Sequence, residues 1–212
     1  MSGIFITLEG PDGSGKSTIV NLLSDYLSSS NIDYIFTREP GGTKIGEDIR
    51  NIILNNENTK MSPRTEALLY AASRSQHVHE KILPALQTGK VVLCERFVLS
   101  SLVYQGIGRG LGVEDVKAIN NFGTKGLEPD LTLFFNIDPV VSLNRKRSGK
   151  NVDRLEMEGV DFHTEVYNGY LDLINKYPEN IVIIDAYKSK DEVFKQVKTE
   201  VEYILKKGGM VK

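Results

Sequence analysis

Residues 10–18 read GPDGSGKST and follow directly on the apolar run IFITLE, residues 4–9. The loop fits the pattern G-x-x-x-x-G-K-[ST], with Gly10 and Gly15 as the fixed glycines, Lys16 as the cation and Ser17 as the hydroxyl. Pro11, Asp12, Gly13 and Ser14 fill the variable positions. Such glycines let consecutive backbone N–H groups turn inward around a β-phosphate, while the lysine reaches the β/γ oxygens and the serine ligates Mg²⁺ at a helix N-terminus. The run before the loop reads as a buried strand and STIVNLLSDYL after it as an amphipathic helix, which sets the stretch apart from an ordinary glycine-rich turn. Residues 10–17 are therefore expected to cradle a polyphosphate, with Ser17 on Mg²⁺. The loop leaves open what receives the phosphate.

Working outward, short β-branched runs alternate with longer amphipathic ones, the pattern of a parallel sheet wrapped by helices. Strands are expected at 4–9, 33–37, 90–95, 131–137 and 180–185, and helices near 16–29, 45–55, 63–86, 100–106, 113–125, 139–147, 160–177 and 190–207. The expectation is a single α/β domain over residues 1–212, a five-stranded parallel sheet flanked by helices. Several strands end in an acid (Glu9, Glu95, Asp138, Asp185), and ligands on such sheets bind outside the carboxyl ends of the strands. No fixed-period repeat, low-complexity segment or interdomain linker interrupts the chain.

Composition narrows the partners. The 212 residues are 40% hydrophobic and 25% charged, ordinary for a globular domain, and a formal net charge of −2 argues against a protein that coats nucleic acid. The single cysteine, Cys94, lies in VVLCE and reads as a small buried residue in a reducing compartment. No apolar run approaches the roughly 20 residues of a membrane span, and the start lacks a signal-peptide pattern, so a cytoplasmic protein is expected.

A phosphate loop fits several classes, which differ in what else they require. The only N-K, Asn175-Lys176-Tyr177-Pro178, ends in proline where a guanine-reading N-K-x-D needs aspartate, and D-x-x-G occurs only inside the loop, at Asp12 to Gly15. GIGRGLG does not satisfy G-x-G-x-x-G, so the dinucleotide fingerprint is absent. A mechanical ATPase usually carries a larger domain than this chain has room for. What the chain does carry is arginine in polar loops after three successive strands, in TREPGGT, CERF and NRKRSGKNVDRLE. Arginine forks match phosphate oxygens in pairs, so scattered arginines at strand ends suit several phosphates on one small molecule.

In this order, GPDGSGKST, TREPGGT (37–43), RTEALLYAASRSQH (64–77), CERFVLSSLVYQG (94–106), GLEPDLTLFFNI (126–137) and DRLE (153–156) resemble the bacterial thymidylate kinases over nearly the whole chain. TREPGG together with SSLVYQG separates that family from adenylate, guanylate and cytidylate kinases. The resemblance implies transfer of the γ-phosphoryl of ATP to deoxythymidine monophosphate (dTMP), a step toward dTTP, on a homodimer, without nucleic acid or membrane partners. It implies Arg38 and Glu39 beside the acceptor, and Arg50 and Arg96 as the clamp on its monophosphate. Tyr70 matches the position that stacks on the base, although helical spacing alone would make it core. Arg74, one turn on, is expected on a base carbonyl, and Ser101 and Gln105 toward the base edge. Tyr104 is expected against the sugar where a 2′-hydroxyl would lie, and Asp12 near the sugar. His77 and His79 point to different sides of a helix and form no metal pair, and His163 receives no role.

Two departures bear on chemistry. The family's Asp-Arg-Tyr after the third strand is here Glu95-Arg96-Phe97, so the carboxylate that would join Ser17 at Mg²⁺ carries one more methylene. The second departure is in a mobile lid at about 145–156, whose basic positions do not align with a single version of the family; as in family members whose phosphate loop lacks an arginine, Lys16, Arg96 and basic lid residues are expected to meet the charge on the migrating phosphoryl group, with Arg147, Lys150 and Arg154 the lid candidates. A kinase for another nucleotide or for a deoxynucleoside, or a non-catalytic ATP-dependent switch, are the alternatives.

Overall fold

The structure, a computed structural model, describes residues 3–146 and 153–211. Five parallel strands, Ile4–Glu9 (β1), Tyr34–Arg38 (β2), Val91–Glu95 (β3), Leu131–Asn136 (β4) and Ile181–Asp185 (β5), form one sheet in the order β2-β3-β1-β4-β5. The expected architecture is the observed one. β1 is buried along its whole length, as its unbroken apolar run requires of a central parallel strand. The chain first crosses to one side of β1 and then to the other, which opens a crevice beyond its carboxyl end.

The period of two along β1 separates two cores. Ile4, Ile6 and Leu8 pack with Ile19, Leu23 and Leu27 of helix α1 (Lys16–Ser29) and with Val193, Val197 and Val201 of α9 (Lys190–Lys207). Phe5 faces the opposite way, into a cluster with Val78, Ile82 and Phe97. Thr7 and Glu9 share its parity, so a carboxylate is delivered to the inner end of the crevice. Helix α9 starts with a complete capping box between Ser189 and Glu192.

Two expected helices contain π-helical turns. The 63–86 stretch runs as α3 (Pro63–His77), a π-helical segment Val78–Ile82, and α4 (Leu83–Gln87). Pro84 has no N–H to return to the carbonyl four residues back, and the wider turn before it accommodates that loss. The 100–106 stretch is a short α5 (Val98–Ser101) followed by π-helical Leu102–Gly108, closed by the Arg109 amide on the Tyr104 carbonyl at 2.9 Å. The remaining helices are α2 (Lys44–Leu54), α6 (Val113–Thr124), α7 (Pro139–Lys146) and α8 (Val160–Lys176), within a residue or two of expectation. Among the described residues no helix is long and apolar enough to cross a membrane.

Candidate active site

The phosphate loop takes its shape from its glycines. Gly10 has φ 134°, and a Cβ there would lie 2.7 Å from the Phe135 carbonyl oxygen, so only glycine lets β1 turn this close to β4. Gly15, at φ 95°, caps α1 without a side chain and leaves its first N–H groups facing the loop. Lys16 is buried and folded inward, donating to the carbonyls of Gly10 at 3.1 Å and Pro11 at 2.9 Å and to Ser14 Oγ at 3.3 Å. Burial, reinforced by the charge of Arg96, lowers its pKa to about 8 against the opposing pull of Asp12, Glu95 and Glu9. The loop's cation is therefore underpaired until an anion arrives.

Ser17 Oγ donates to Glu95 Oε2 at 3.1 Å, bringing together the hydroxyl and the carboxylate expected at Mg²⁺. Both are hard oxygen donors beside the loop, a set that fits Mg²⁺, and the longer glutamate reaches the serine across the space an aspartate would leave. The next residue, Arg96, sits at φ 68°, a left-handed conformation that is uncommon for a residue with a long side chain. Its guanidinium donates to Asp12 Oδ1 at 2.7 Å, Ser100 Oγ at 3.0 Å and Tyr170 Oη at 3.3 Å, and lies 5.2 Å from the Tyr104 ring centroid.

Glu9 holds this arrangement from beneath. It accepts from the Phe97 amide at 2.7 Å, Ser100 Oγ at 2.6 Å and Tyr170 Oη at 3.0 Å. Burial nonetheless raises its pKa, although the nearby Arg96 charge and these donors oppose the rise. Sequence reading recorded Glu9 only as a strand-end acid; its shared parity with Phe5 was the signal that it faces this site.

Every residue expected at the acceptor lines one cavity of ≈ 270 Å³, which meets the phosphate loop at Asp12, Ser17 and Glu95. Its walls come from β2, β3, α2, α3, the π-helical turn and the segment entering α8. At one end two arginines converge on a single acceptor: Arg38 donates to the Pro40 carbonyl at 2.7 Å, and Arg50 to the same oxygen at 3.0 Å. Burial first, then the charge of Arg38, lowers the pKa of Arg50. Two guanidiniums held this close are poised for an anion of more than one charge.

At the other end the side chains are fixed by buried partners. Arg74 donates to Glu39 at 2.6 Å, Ser101 Oγ at 2.9 Å and the Phe97 carbonyl at 3.1 Å, and also to Asn120 Oδ1. That uses four of the five N–H groups a guanidinium carries, and Arg74 also lines the cavity. Glu39 is occupied on both oxygens, by Arg74 and by His77 Nδ1 at 2.9 Å, so it positions Arg74. His77 Nε2 is in turn 2.6 Å from Thr37 Oγ1. Glu39, His77 and Cys94 cluster in the interior, each already hydrogen-bonded, the cysteine thiol to the Arg96 carbonyl at 3.2 Å. Tyr70 is half-buried on the cavity wall, and burial raises its pKa, so it presents a neutral ring. Burial lifts Tyr104 to about 12, which keeps its hydroxyl protonated beside Arg96.

The lid candidates fare differently. Arg147 and Lys150 lie outside the described residues. Arg154 is seated away from the loop: it is buried, donating to the Ile53 carbonyl at 2.8 Å and to Glu66 Oε2 at 2.6 Å. Glu66 was not anticipated, although Glu66, Tyr70 and Arg74 recur every four residues on one face of α3. His163, left without a role, is buried with Nε2 lacking a hydrogen-bond partner among the described residues, and desolvation lowers its pKa.

Comparison with known proteins supplies a further observation. The family model described as thymidylate kinase matches residues 8–197. The chain is 60% identical over 193 residues to the thymidylate kinase of Finegoldia magna, covering 91% of this chain and 95% of that protein. It is 54% identical over 198 residues to that of Clostridium novyi, covering 92% and 97%. The crystal structure of thymidylate kinase from Ehrlichia chaffeensis superposes with a TM-score of 0.77 at 30% identity, covering 95% of this chain and all of that one.

Proposed function

Because the chain belongs to the thymidylate kinase family, we propose that it transfers the γ-phosphoryl group of ATP to dTMP, giving the diphosphate, across the junction between its phosphate loop and the adjoining cavity. The observation that carries this reading is the convergence of Arg38, Arg50, Tyr70, Arg74, Arg96 and Gln105, spread over four segments of the sequence, on one cavity that opens at Asp12 and Ser17.

The chemistry is positioning and charge neutralisation. The backbone amides of residues 10–17 receive the ATP phosphates, and Lys16 exchanges its loop carbonyls for phosphate oxygens. Ser17 and Glu95 would hold Mg²⁺, which when bound neutralises charge on the phosphate oxygens. The acceptor monophosphate is drawn between Arg50 and Arg96, with Arg38 beside it. Arg96 is the residue best placed to touch both phosphates, since it reaches Asp12 in the loop and lines the acceptor cavity. Tyr70 stacks on thymine, and Arg74 spends its remaining N–H on a base carbonyl. Tyr104 packs on the deoxyribose and leaves a 2′-hydroxyl without a partner. Arg147 and Lys150 are proposed to meet the charge on the migrating phosphoryl group.

The chain is proposed to act as a homodimer. Phe122 on α6 is 91% exposed, and Leu68 on α3 with Ile45 and Ile52 on α2 add exposed apolar surface on helices that pack side by side. Exposed apolar side chains on neighbouring helices suit association with a second copy of the chain.

The direct test is ADP release measured with and without dTMP. Release is expected to depend on dTMP and to be far slower with thymidine, which offers the arginines no phosphate. Release at the same rate without any acceptor would indicate a switch or ATPase instead.

A further inference from the structure

Glu66, at 1% exposure, accepts from three directions at once. Gln105 Nε2 donates to Oε1 at 2.9 Å, Arg154 donates to Oε2 at 2.6 Å, and Arg109 spans both oxygens at 3.3 Å each. These donors keep the pKa of Glu66 low although burial alone would raise it. The three donors come from two separate parts of the chain. Gln105 lies within the π-helical turn that forms one wall of the cavity, and Arg109 follows directly on it. Arg154 belongs to the 153–158 segment, whose Asp153, Leu155 and Glu156 line the facing wall. Arg109 also pairs with Glu158 at 2.7 Å, so the segment is tied at both ends.

We propose that Glu66 is a positioning residue that joins the two walls: one buried carboxylate holds Gln105 at the base end of the cavity and docks the 153–158 segment across it through Arg154. This rests on the acceptor reading given above and deepens it. When Arg154 releases Glu66, Asp153, Leu155 and Glu156 leave the cavity, and Glu66, still bonded to Gln105 and Arg109, loses the shortest of the contacts that hold it in place. Occupation of the cavity and docking of the segment then form a single equilibrium, and each stabilises the other. On this proposal Arg154 acts on acceptor affinity, through Glu66, and not on the transferring phosphoryl group.

The test measures binding of dTMP and of a non-hydrolysable ATP analogue separately, on the full chain. Glu66→Gln is expected to weaken dTMP binding about tenfold or more, because it leaves Arg154 without its anion. Binding of the ATP analogue is expected to stay within about threefold of wild type, as the loop is not part of this network. Arg154→Gln is expected to show the same split, and the double variant to bind dTMP no more weakly than Glu66→Gln alone, since the two changes break one contact. Independent, multiplying losses, or wild-type dTMP binding in a folded Glu66→Gln protein, overturn the proposal. Because Glu66 is buried, an experiment on the unaltered protein keeps the question open to refutation should the variants fail to fold. Adding dTMP is expected to slow amide exchange at residues 155–158, and the ATP analogue alone is not. Unchanged exchange in a protein that binds dTMP overturns the coupling, whereas absence of dTMP binding would overturn the acceptor reading itself.

Discussion

Lys16 links the loop's geometry to a pH dependence. Its ammonium is desolvated and rests on neutral oxygens, which holds its pKa at about 8, below the ordinary lysine value of 10.5. Polyphosphate stabilises the charged form, so ATP binding takes up a proton wherever the free protein has lost one. ATP affinity is therefore expected to be level below pH 7 and to fall as pH rises above 8, approaching about tenfold per unit. Calorimetric titration with ATP from pH 6.5 to 9.5, repeated in buffers of different ionisation enthalpy, checks both the slope and the proton uptake. Level affinity up to pH 9.5 would contradict it. The same shift has the opposite sense for folding. Between about 8 and 10.5 the unfolded chain binds more protons at this residue, so its contribution to stability rises with pH across that window.

At the scale of elements, legibility in the sequence followed the range of the interactions. The phosphate loop was readable because strand, glycines, Lys16 and Ser17 are adjacent, and the strands because β-branched runs need no partner to be recognised. The π-helical turns were not readable, since their i→i+5 bonding depends on packing and on what surrounds Pro84 and Gly108. Arg38, Arg50, Tyr70 and Arg74 are placed by resemblance, and the structure shows what orients the three arginines. Glu66 escaped because its partners lie 39 and 88 residues away and no local pattern records them. Glu39, expected beside the acceptor, lines the cavity, and the structure adds that both its oxygens are engaged by Arg74 and His77. The apolar residues on α2, α3 and α6 make an element-scale prediction. Phe122→Glu places a charge in the proposed interface and is expected to turn a dimer into a monomer in sedimentation velocity at micromolar concentration, with the fold kept, because the Phe122 side chain touches little of its own chain. A wild-type chain that sediments as a monomer would contradict the dimer.

On the scale of the whole molecule, the sheet order sets the chemistry. β1 brings the phosphate loop to the centre of the sheet edge, β3 places Glu95 and Arg96 beside it, and β2 carries Arg38 and Glu39 to the far side of the same edge. Donor loop and acceptor cavity thus meet along one line, with Arg96 bridging them through Asp12. The central claim is that phosphate passes directly from one to the other. It is tested most directly by following the label of [γ-³²P]ATP with dTMP as acceptor and separating the products. The expected result is label in the deoxythymidine diphosphate, one equivalent for each ADP formed, with little released as inorganic phosphate and almost none turned over when dTMP is omitted. Label appearing chiefly as inorganic phosphate, at a rate indifferent to dTMP, would contradict it.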